Sequence, residues 1–385
     1  MRHTALLVQI SDLLSPISYP YLPRRRAALR PDLRSPNFDP RGAKHRPKRP
    51  RAVWTKLATP FTFWVLPMPP VAAPSPTPRT VTKTQFVDST DLLADPVALR
   101  ARAKEDGYLF FKQRIPKEEI FAMRAEMLAI VEKYGWRQPG QDALGGLVDY
   151  AAINRLTEEE MHRTDVGVTA DAYHDVQKLE RFHRLPHHPR LVEIYRKLFG
   201  REVLVHPRHI ARMITPHTCM VPTPPHQDFP YIQGCADTWT CWFPVGDCPK
   251  ALGGLMVLRG SHKEGYLPVQ PARGAGGFAV PLCPTETDWM EGEYEAGDVL
   301  TFPCHTVHKA ARCQFKDQIR LSMDVRYQPV DEVVDNSSLN PHCTLKWDEI
   351  YADWQSDELK YYWRKLPLKM SAWDDGYLKP AQRIC

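Results

Sequence analysis

The first 218 residues contain no cysteine, and the nine that follow (219, 235, 241, 248, 283, 304, 313, 343 and 385) never form a Cys-x-x-Cys pair. An odd count without paired spacing argues against a secreted disulfide framework and against a zinc ribbon, and it suits a reducing interior. Long hydrophobic runs are also missing. A spanning helix needs ~18 or more consecutive apolar residues, and the apolar patch Trp54–Val71 is broken by Lys56 and several prolines. Acidic residues are scarce at the N-terminus, where residues 1–80 hold three Asp/Glu against 14 Lys/Arg. Of the 51 basic and 45 acidic residues in the chain, 37 and 42 therefore lie beyond position 80, and the formal +6 belongs to the leader. The remainder, at −5, carries no charge pattern suited to nucleic acid or to an anionic membrane surface. No internal repeat is visible.

What the leader does contain is proline, 15 of the 37 in the chain, with basic clusters at Arg24–Arg26 and Lys44–Arg51 and a Pro/Ala/Ser/Thr stretch from Pro67 to Pro78. Such a segment cannot bury enough apolar surface to offset its chain entropy, and it reads as disordered. Three readings of it compete: a flexible tail or an over-extended start with Met68 as the true start, an organelle transit peptide, and a basic nuclear or nucleic-acid signal. The expected division is a disordered leader over 1–80 and one globular domain over 81–385, for which 43% apolar residues suffice. A cytoplasmic location is expected, or a mitochondrial one if the leader is a transit peptide. Oligomeric state is not readable.

Helices are expected first. Asp95–Asp106 has an N-cap Asp95 followed by Pro96, and Pro116–Tyr134 carries Ile120, Met123, Met127, Ile130 and Val131 along one face. Pro189–Phe199 is closed by Gly200. Gly107–Phe111 is a short strand between the first two helices. Beyond Val203 short strands follow near Leu204–Ile214, Thr238–Val245, Leu255–Leu258, Val299–Phe302 and Ile319–Tyr327, and Trp347–Leu366 closes the chain as a helix. Helices followed by many short strands indicate an α+β fold, a double-stranded β-helix (jelly-roll, cupin-like) barrel buttressed by helices.

His226-Gln227-Asp228 is the centre of the chemistry. On an extended strand residues two apart point the same way, so His226 and Asp228 can share one metal ion. A third ligand from a distant strand would complete two His plus one carboxylate, the set that leaves coordination positions open in non-haem Fe(II) oxygenases. His305 and His308, after Gly297-Asp298-Val299, are the candidates. Residues 319–326 then alternate strictly, placing Arg320, Ser322, Asp324 and Arg326 on one polar face, in solvent or inside a ligand-filled barrel. Arg320 and Ser322 suit a carboxylate, bound by a fork and a same-face hydroxyl. Arg312 is the rival, and Arg320 paired with Asp324 or Asp298 is the plainer reading. His262-Lys263-Glu264 is a competing His-x-carboxylate, though Gly260-Ser261 makes it a turn. Trp239, Trp242 and Phe243 read as core. His174, His187, His206, His209 and His217 read as satisfied or exposed.

The stretch from about Gly107 to Pro329 resembles the phytanoyl-CoA dioxygenase family of Fe(II)/2-oxoglutarate oxygenases. The matching features, in order, are His226-Gln227-Asp228, Gly253-Gly254-Leu255 with Gly260-Ser261-His262, Gly297-Asp298-Val299, the His308 segment and the Arg320 strand. The resemblance implies His226, Asp228 and His308 as iron ligands and Arg320 as the 2-oxoglutarate anchor, with Ser322 beside it. It also places Gln227 and Thr240 where the cosubstrate pocket is often lined. The implied cofactors are Fe(II), 2-oxoglutarate and O2, with hydroxylation of a C–H bond and release of succinate and CO2. A carboxylate at 228 favours hydroxylation over halogenation, which needs that position for halide. The expected substrate is a small molecule: a metabolite or natural product ahead of an acyl-CoA, because the domain is mildly acidic. The alternatives are a protein or nucleic-acid hydroxylase steered by the leader, and a non-catalytic metal-binding jelly roll. Gly140–Tyr150 and Arg273–Gly277 are the expected lid.

Overall fold

The computed structural model describes residues 84–161, 166–282 and 288–380. The leader, Cys283 and Cys385 lie outside the described residues, and the other seven cysteines are free thiols.

The expected helices form where local chemistry starts and stops them. Pro96–Asp106 begins because the Asp95 carboxylate accepts from the amides of Val97 and Ala98, and it ends at Gly107 with φ 70°. A cap of this kind contributes about 1 kcal/mol. Lys117–Lys133 buries Ile120, Met123, Met127, Ile130 and Val131. Pro189–Phe199 stops at Gly200, φ 65°. Two helices that the apolar pattern had not signalled, Ala170–Lys178 and Glu180–Arg184, sit between them.

The strands form two main sheets. The larger runs in the order Leu109–Phe111, Val299–Pro303, Trp239–Pro244, Arg320–Pro329, Val203–Val205, and Ile210–Ile214 also pairs with Arg320–Pro329. The expected single strand over Leu204–Ile214 is thus two, both laid along one long partner. The smaller sheet runs Thr84–Gln85, Trp289–Glu291, Leu255–Leu258, His308–Ala310. All strand pairs in these two sheets are antiparallel except Thr84–Gln85 with Trp289–Glu291. One face of the larger sheet, with Phe243, Met323 and Val325, packs on Met123, Met127, Ile194 and Tyr195 of the helices. Its other face meets the smaller sheet through Trp242, Leu300 and Phe302 against Leu255, Val257 and Met290.

The C-terminal region corrects the sequence reading. Only Trp347–Ile350 is α-helical, and a 3-10 turn covers Tyr362–Lys365. One straight helix over Trp347–Leu366 would separate Trp347 from Trp363 by about 24 Å, whereas their ring centroids lie 5.0 Å apart. The chain turns back, with Tyr361 at φ 54°, so that Trp347, Tyr351, Trp354 and Trp363 surround Leu204 and Val334. Burying four large rings in one cluster outweighs helix propensity. The indole N–H groups of Trp347 and Trp354 donate to Leu339 O and Lys178 O at 2.9 and 3.0 Å.

Candidate metal and cosubstrate site

His226 and His308 are direct partners in an antiparallel bridge. Each amide donates to the other's carbonyl, at 3.0 and 2.9 Å. That pairing sets the imidazoles side by side with centroids 4.1 Å apart. Asp228 is brought in differently from the expected extended strand: at φ −76°, ψ −26° it caps the short helix Phe229–Ile232. One turn of chain does what strand alternation was expected to do, and the Asp228 carboxylate still faces both rings. His226 Nε2 and His308 Nε2 each lie 3.7 Å from Asp228 Oδ1, and the three potential donor atoms are within 4.8 Å of one another.

The second ring nitrogens decide the tautomers. His226 Nδ1 lies 2.9 Å from Pro224 O and His308 Nδ1 lies 3.0 Å from Thr306 O. Carbonyls accept only, so each Nδ1 carries the proton and each Nε2 offers a lone pair to the centre. Burial pushes the His226 imidazole down to about 3, helped by His308 and opposed by Asp228. It lowers His308 as well. Burial raises the Asp228 carboxyl, but Arg326, His308 and His226 outweigh it and hold it well below the usual range. Two neutral imidazoles and one carboxylate are the protonation states a divalent metal needs.

Asp228 Oδ2 is held from behind. Thr240 Oγ1 donates to it at 2.5 Å and Arg326 Nη2 at 3.2 Å. Thr240 and Arg326 are cross-strand partners in register, so their side chains leave the sheet on the same face. Thr240, for which the resemblance implies a place lining the cosubstrate pocket, is set against the Asp228 carboxylate and supports it. Gln227 points elsewhere too: its amide donates to Gly265 O and His305 O and accepts from Leu267 N. These three contacts tie together the Gly265, Leu267 and His305 backbones. His305 stacks on Phe229 at 4.6 Å and is not in the cluster. His262 Nε2 meets Lys104 O at 3.0 Å, and Ser261 Oγ braces Leu258 and Val307, so that motif is a corner.

Every residue of Arg320–Pro329 is buried, which resolves the choice for its polar face in favour of the interior. Asp324 accepts from Arg212 Nε at 2.6 Å, and Asp298 takes Lys112 and the Gln113 amide, so neither carboxylate pairs with Arg320. Arg320 instead donates Nη1 to Gly253 O. Its Nε, Ser322 Oγ and Trp242 Nε1 are buried without a partner among the described residues. Arg320 and Trp242 border the same small chamber as His226, Asp228 and His308. Buried donors are rarely left unsatisfied, so these three mark a place for an acceptor. The N–H of Trp242 was invisible while the residue read as core; the signal was its position on the inward, Thr240-bearing face. Arg312 is exposed and sits at the mouth of an outer cavity that Arg320 backs.

The matching family model is that of phytanoyl-CoA dioxygenase (PhyH), over residues 103–314, more than half of the chain. The chain belongs to the phytanoyl-CoA dioxygenase family. It is a 2-oxoglutarate-dependent oxygenase that uses iron, and its buried His-Asp-His cluster offers a donor set of matching chemistry. Arg320 lies beyond the matched residues and rests on geometry. Two relatives, both named 1-deoxypentalenic acid 11-beta-hydroxylase, come from Streptomyces arenae and Streptomyces exfoliatus; they are 28% and 27% identical over 275 residues, 68% of this chain and 91% of theirs. Among solved structures, the epimerase SnoN in complex with Fe3+, alpha ketoglutarate and nogalamycin RO aligns with TM-score 0.43 and 21% identity, over 63% of this chain and 86% of its own. Among the described residues, no helix is long and apolar enough to cross a membrane.

Proposed function

We propose that His226 Nε2, Asp228 Oδ1 and His308 Nε2 hold Fe(II), and that the enzyme hydroxylates a C–H bond of a small molecule while converting 2-oxoglutarate to succinate and CO2. The observation that carries this reading is the pair of fixed tautomers aimed at one carboxylate oxygen. The iron, when bound, supplies oxygen activation coupled to decarboxylation of the cosubstrate. The protein's share is orientation. Arg320 receives the far carboxylate of 2-oxoglutarate, with Ser322 Oγ and the Trp242 indole N–H as further donors. Thr240 and Arg326 keep Oδ2 of Asp228 occupied, so that Oδ1 faces the metal. A carboxylate so anchored leaves no place for a halide ligand, in favour of hydroxylation, and the hydroxylase names of the two Streptomyces relatives support the same outcome. The two facing sheets with helices on one outer face support the jelly-roll reading of the fold.

Anaerobic addition of Fe(II) and then 2-oxoglutarate should produce a weak charge-transfer band in the green region. His226→Ala should lose it with the fold intact by circular dichroism. A wild-type protein that binds iron but shows no band with 2-oxoglutarate would refute the cosubstrate assignment.

A further inference from the structure

We propose that the metal chamber has two separate doors, and that 2-oxoglutarate enters through the one at Arg320, drawn in by Arg312 and Lys316 at its mouth. The inference rests on the cosubstrate reading above, and it adds the path by which this dianion reaches its site.

The chamber that Arg320 and Trp242 share with His226, Asp228 and His308 holds only about 10 Å³, room for about one water. A five-carbon dicarboxylate does not fit there, so it must extend into a neighbouring cavity. Two cavities adjoin the chamber through different residues. The larger, of about 480 Å³, shares Thr223, Ala310 and Arg320 with it and is lined by none of the three metal-cluster residues. The smaller, of about 330 Å³, shares Arg212, His226, Asp228 and Arg326. Arg320 therefore stands on the threshold of the larger cavity alone. A dicarboxylate entering there, keto acid end first, comes to rest with its trailing carboxylate at Arg320. Gly253, whose carbonyl accepts from Arg320 Nη1, lies in the wall of the same cavity.

The charges of the larger cavity are of one sign. Among the described residues that line it there is no aspartate or glutamate, while Arg312, Lys316 and Arg320 are basic. Arg312 and Lys316 are exposed and Arg320 is buried, so the cations run from solvent inward to the chamber. A cleft lined in this way concentrates an anion and speeds its arrival. The wall of the smaller cavity includes the Asp228 carboxylate and the apolar side chains of Ile210, Ile232, Trp373 and Leu378. That door is left to the small-molecule substrate.

The two segments expected as lids divide between the doors. Tyr150 borders the larger cavity, and Ala275 and Gly276 border the smaller one. The first segment is also tied to the approach of the anchor strand. Val148 N donates to Asp317 O, and Ile319 N donates to Gly146 O, at 2.8 and 3.0 Å. The rim at Tyr150 is thus bonded to the stretch between Lys316 and Arg320. With two doors, cosubstrate can enter or leave while a substrate fills the smaller cavity.

The test mixes the Fe(II)-loaded, full-length protein with excess 2-oxoglutarate in an anaerobic stopped-flow and follows the green-region band at low and high sodium chloride. The slope of the observed rate against concentration gives entry, and the intercept gives release. Entry into the wild type should slow as salt rises. Arg312→Glu with Lys316→Glu should slow entry about tenfold or more at low salt and flatten its salt dependence, with release unchanged, because rim charges act on arrival. The neutral pair, Arg312→Gln with Lys316→Gln, should fall between, and it decides the matter if the reversed pair does not fold. Lys365→Glu with Lys369→Glu makes the same change of net charge at exposed positions that do not line this cavity. It should leave entry within about twofold of the wild type, since distant charges are screened. Entry unchanged in the Arg312 and Lys316 pairs, or slowed equally by the Lys365 and Lys369 pair, would overturn the proposal. Faster release with unchanged entry would overturn it as well, by making these side chains direct ligands of bound cosubstrate. No band in the wild type would refute the cosubstrate reading itself, whereas a band whose entry rate ignores these charges would strike only the path.

Discussion

The strand Arg320–Pro329 treats its two arginines in opposite ways. At its far end Arg326 spends a donor on Asp228, beside Thr240, inside a set of mutual contacts. At its near end Arg320 donates to one backbone carbonyl and to no carboxylate; its Nε, like that of Arg326, has no partner among the described residues, and neither has the Ser322 hydroxyl. Both guanidiniums are buried. The same side chain, six residues along the same inward face, therefore serves two purposes. Where a protein carboxylate is within reach, the arginine completes a structural unit. Where none is, the fold bears the cost of burying a cation, a cost that the proposed 2-oxoglutarate carboxylate would offset.

The comparison can be broken in order of expected effect. Asp228→Ala removes the carboxylate that Arg326 and Thr240 hold, and it should bring succinate release below detection, with circular dichroism unchanged; retained turnover would dissolve the far-end unit. Arg320→Ala should leave iron binding intact and weaken 2-oxoglutarate by roughly 10- to 150-fold, from a lost charge-assisted contact of about 1.5–3 kcal/mol. Calorimetric titration under anaerobic conditions measures this, and an unchanged affinity would pass the anchor to Arg312. Thr240→Val keeps shape but leaves Oδ2 to Arg326 alone, and iron affinity should drop about 10- to 100-fold, as for other groups that orient a ligand; competition with a chelator reads it out.

The smallest effect concerns acid. Near the far end His206 meets Gln328 Oε1 at 2.8 Å, and burial pushes its imidazole down to about 4. His183, on the helical side, is also pushed down to about 4 by burial. Because these values lie below those of the unfolded chain, the unfolded state binds more protons between about pH 4 and 6.5, and stability rises with pH there. Urea unfolding of the metal-free protein at pH 7 and pH 5 should show the acid sample less stable. The slope is at most about 1.4 kcal/mol per pH unit per histidine, and a flat profile would mean these rings accept protons in the native state.

How much of this could be read beforehand depended on how local each cause is. Helix boundaries at Asp95, Gly107 and Gly200 follow from caps that act within a few residues, and they were legible. The alternation of Arg320, Ser322, Asp324 and Arg326 was legible as well, but whether that face met solvent or interior was not. Trp347–Leu366 was misread because helical spacing of aromatics fits a helix and a folded-back cluster equally well. For Gln227 and Thr240 the sequence did not reveal what the side chains touch: one donates to the Gly265 and His305 carbonyls, and the other to Asp228.

The sequence by itself determined the chemistry available: two histidines and an aspartate in the order of an oxygenase family, and an arginine at the start of an alternating strand. It also determined where the helices begin. Only the tertiary structure decided which histidine answers His226, since that choice is made by a backbone bridge between residues 82 positions apart. It alone showed the Trp242 N–H without a partner among the described residues, and the small chamber that Trp242 and Arg320 border together with the cluster. The physical reason is range. Propensity and capping act over one turn, whereas ligand geometry, burial and unmet hydrogen bonds arise when distant segments are brought into contact.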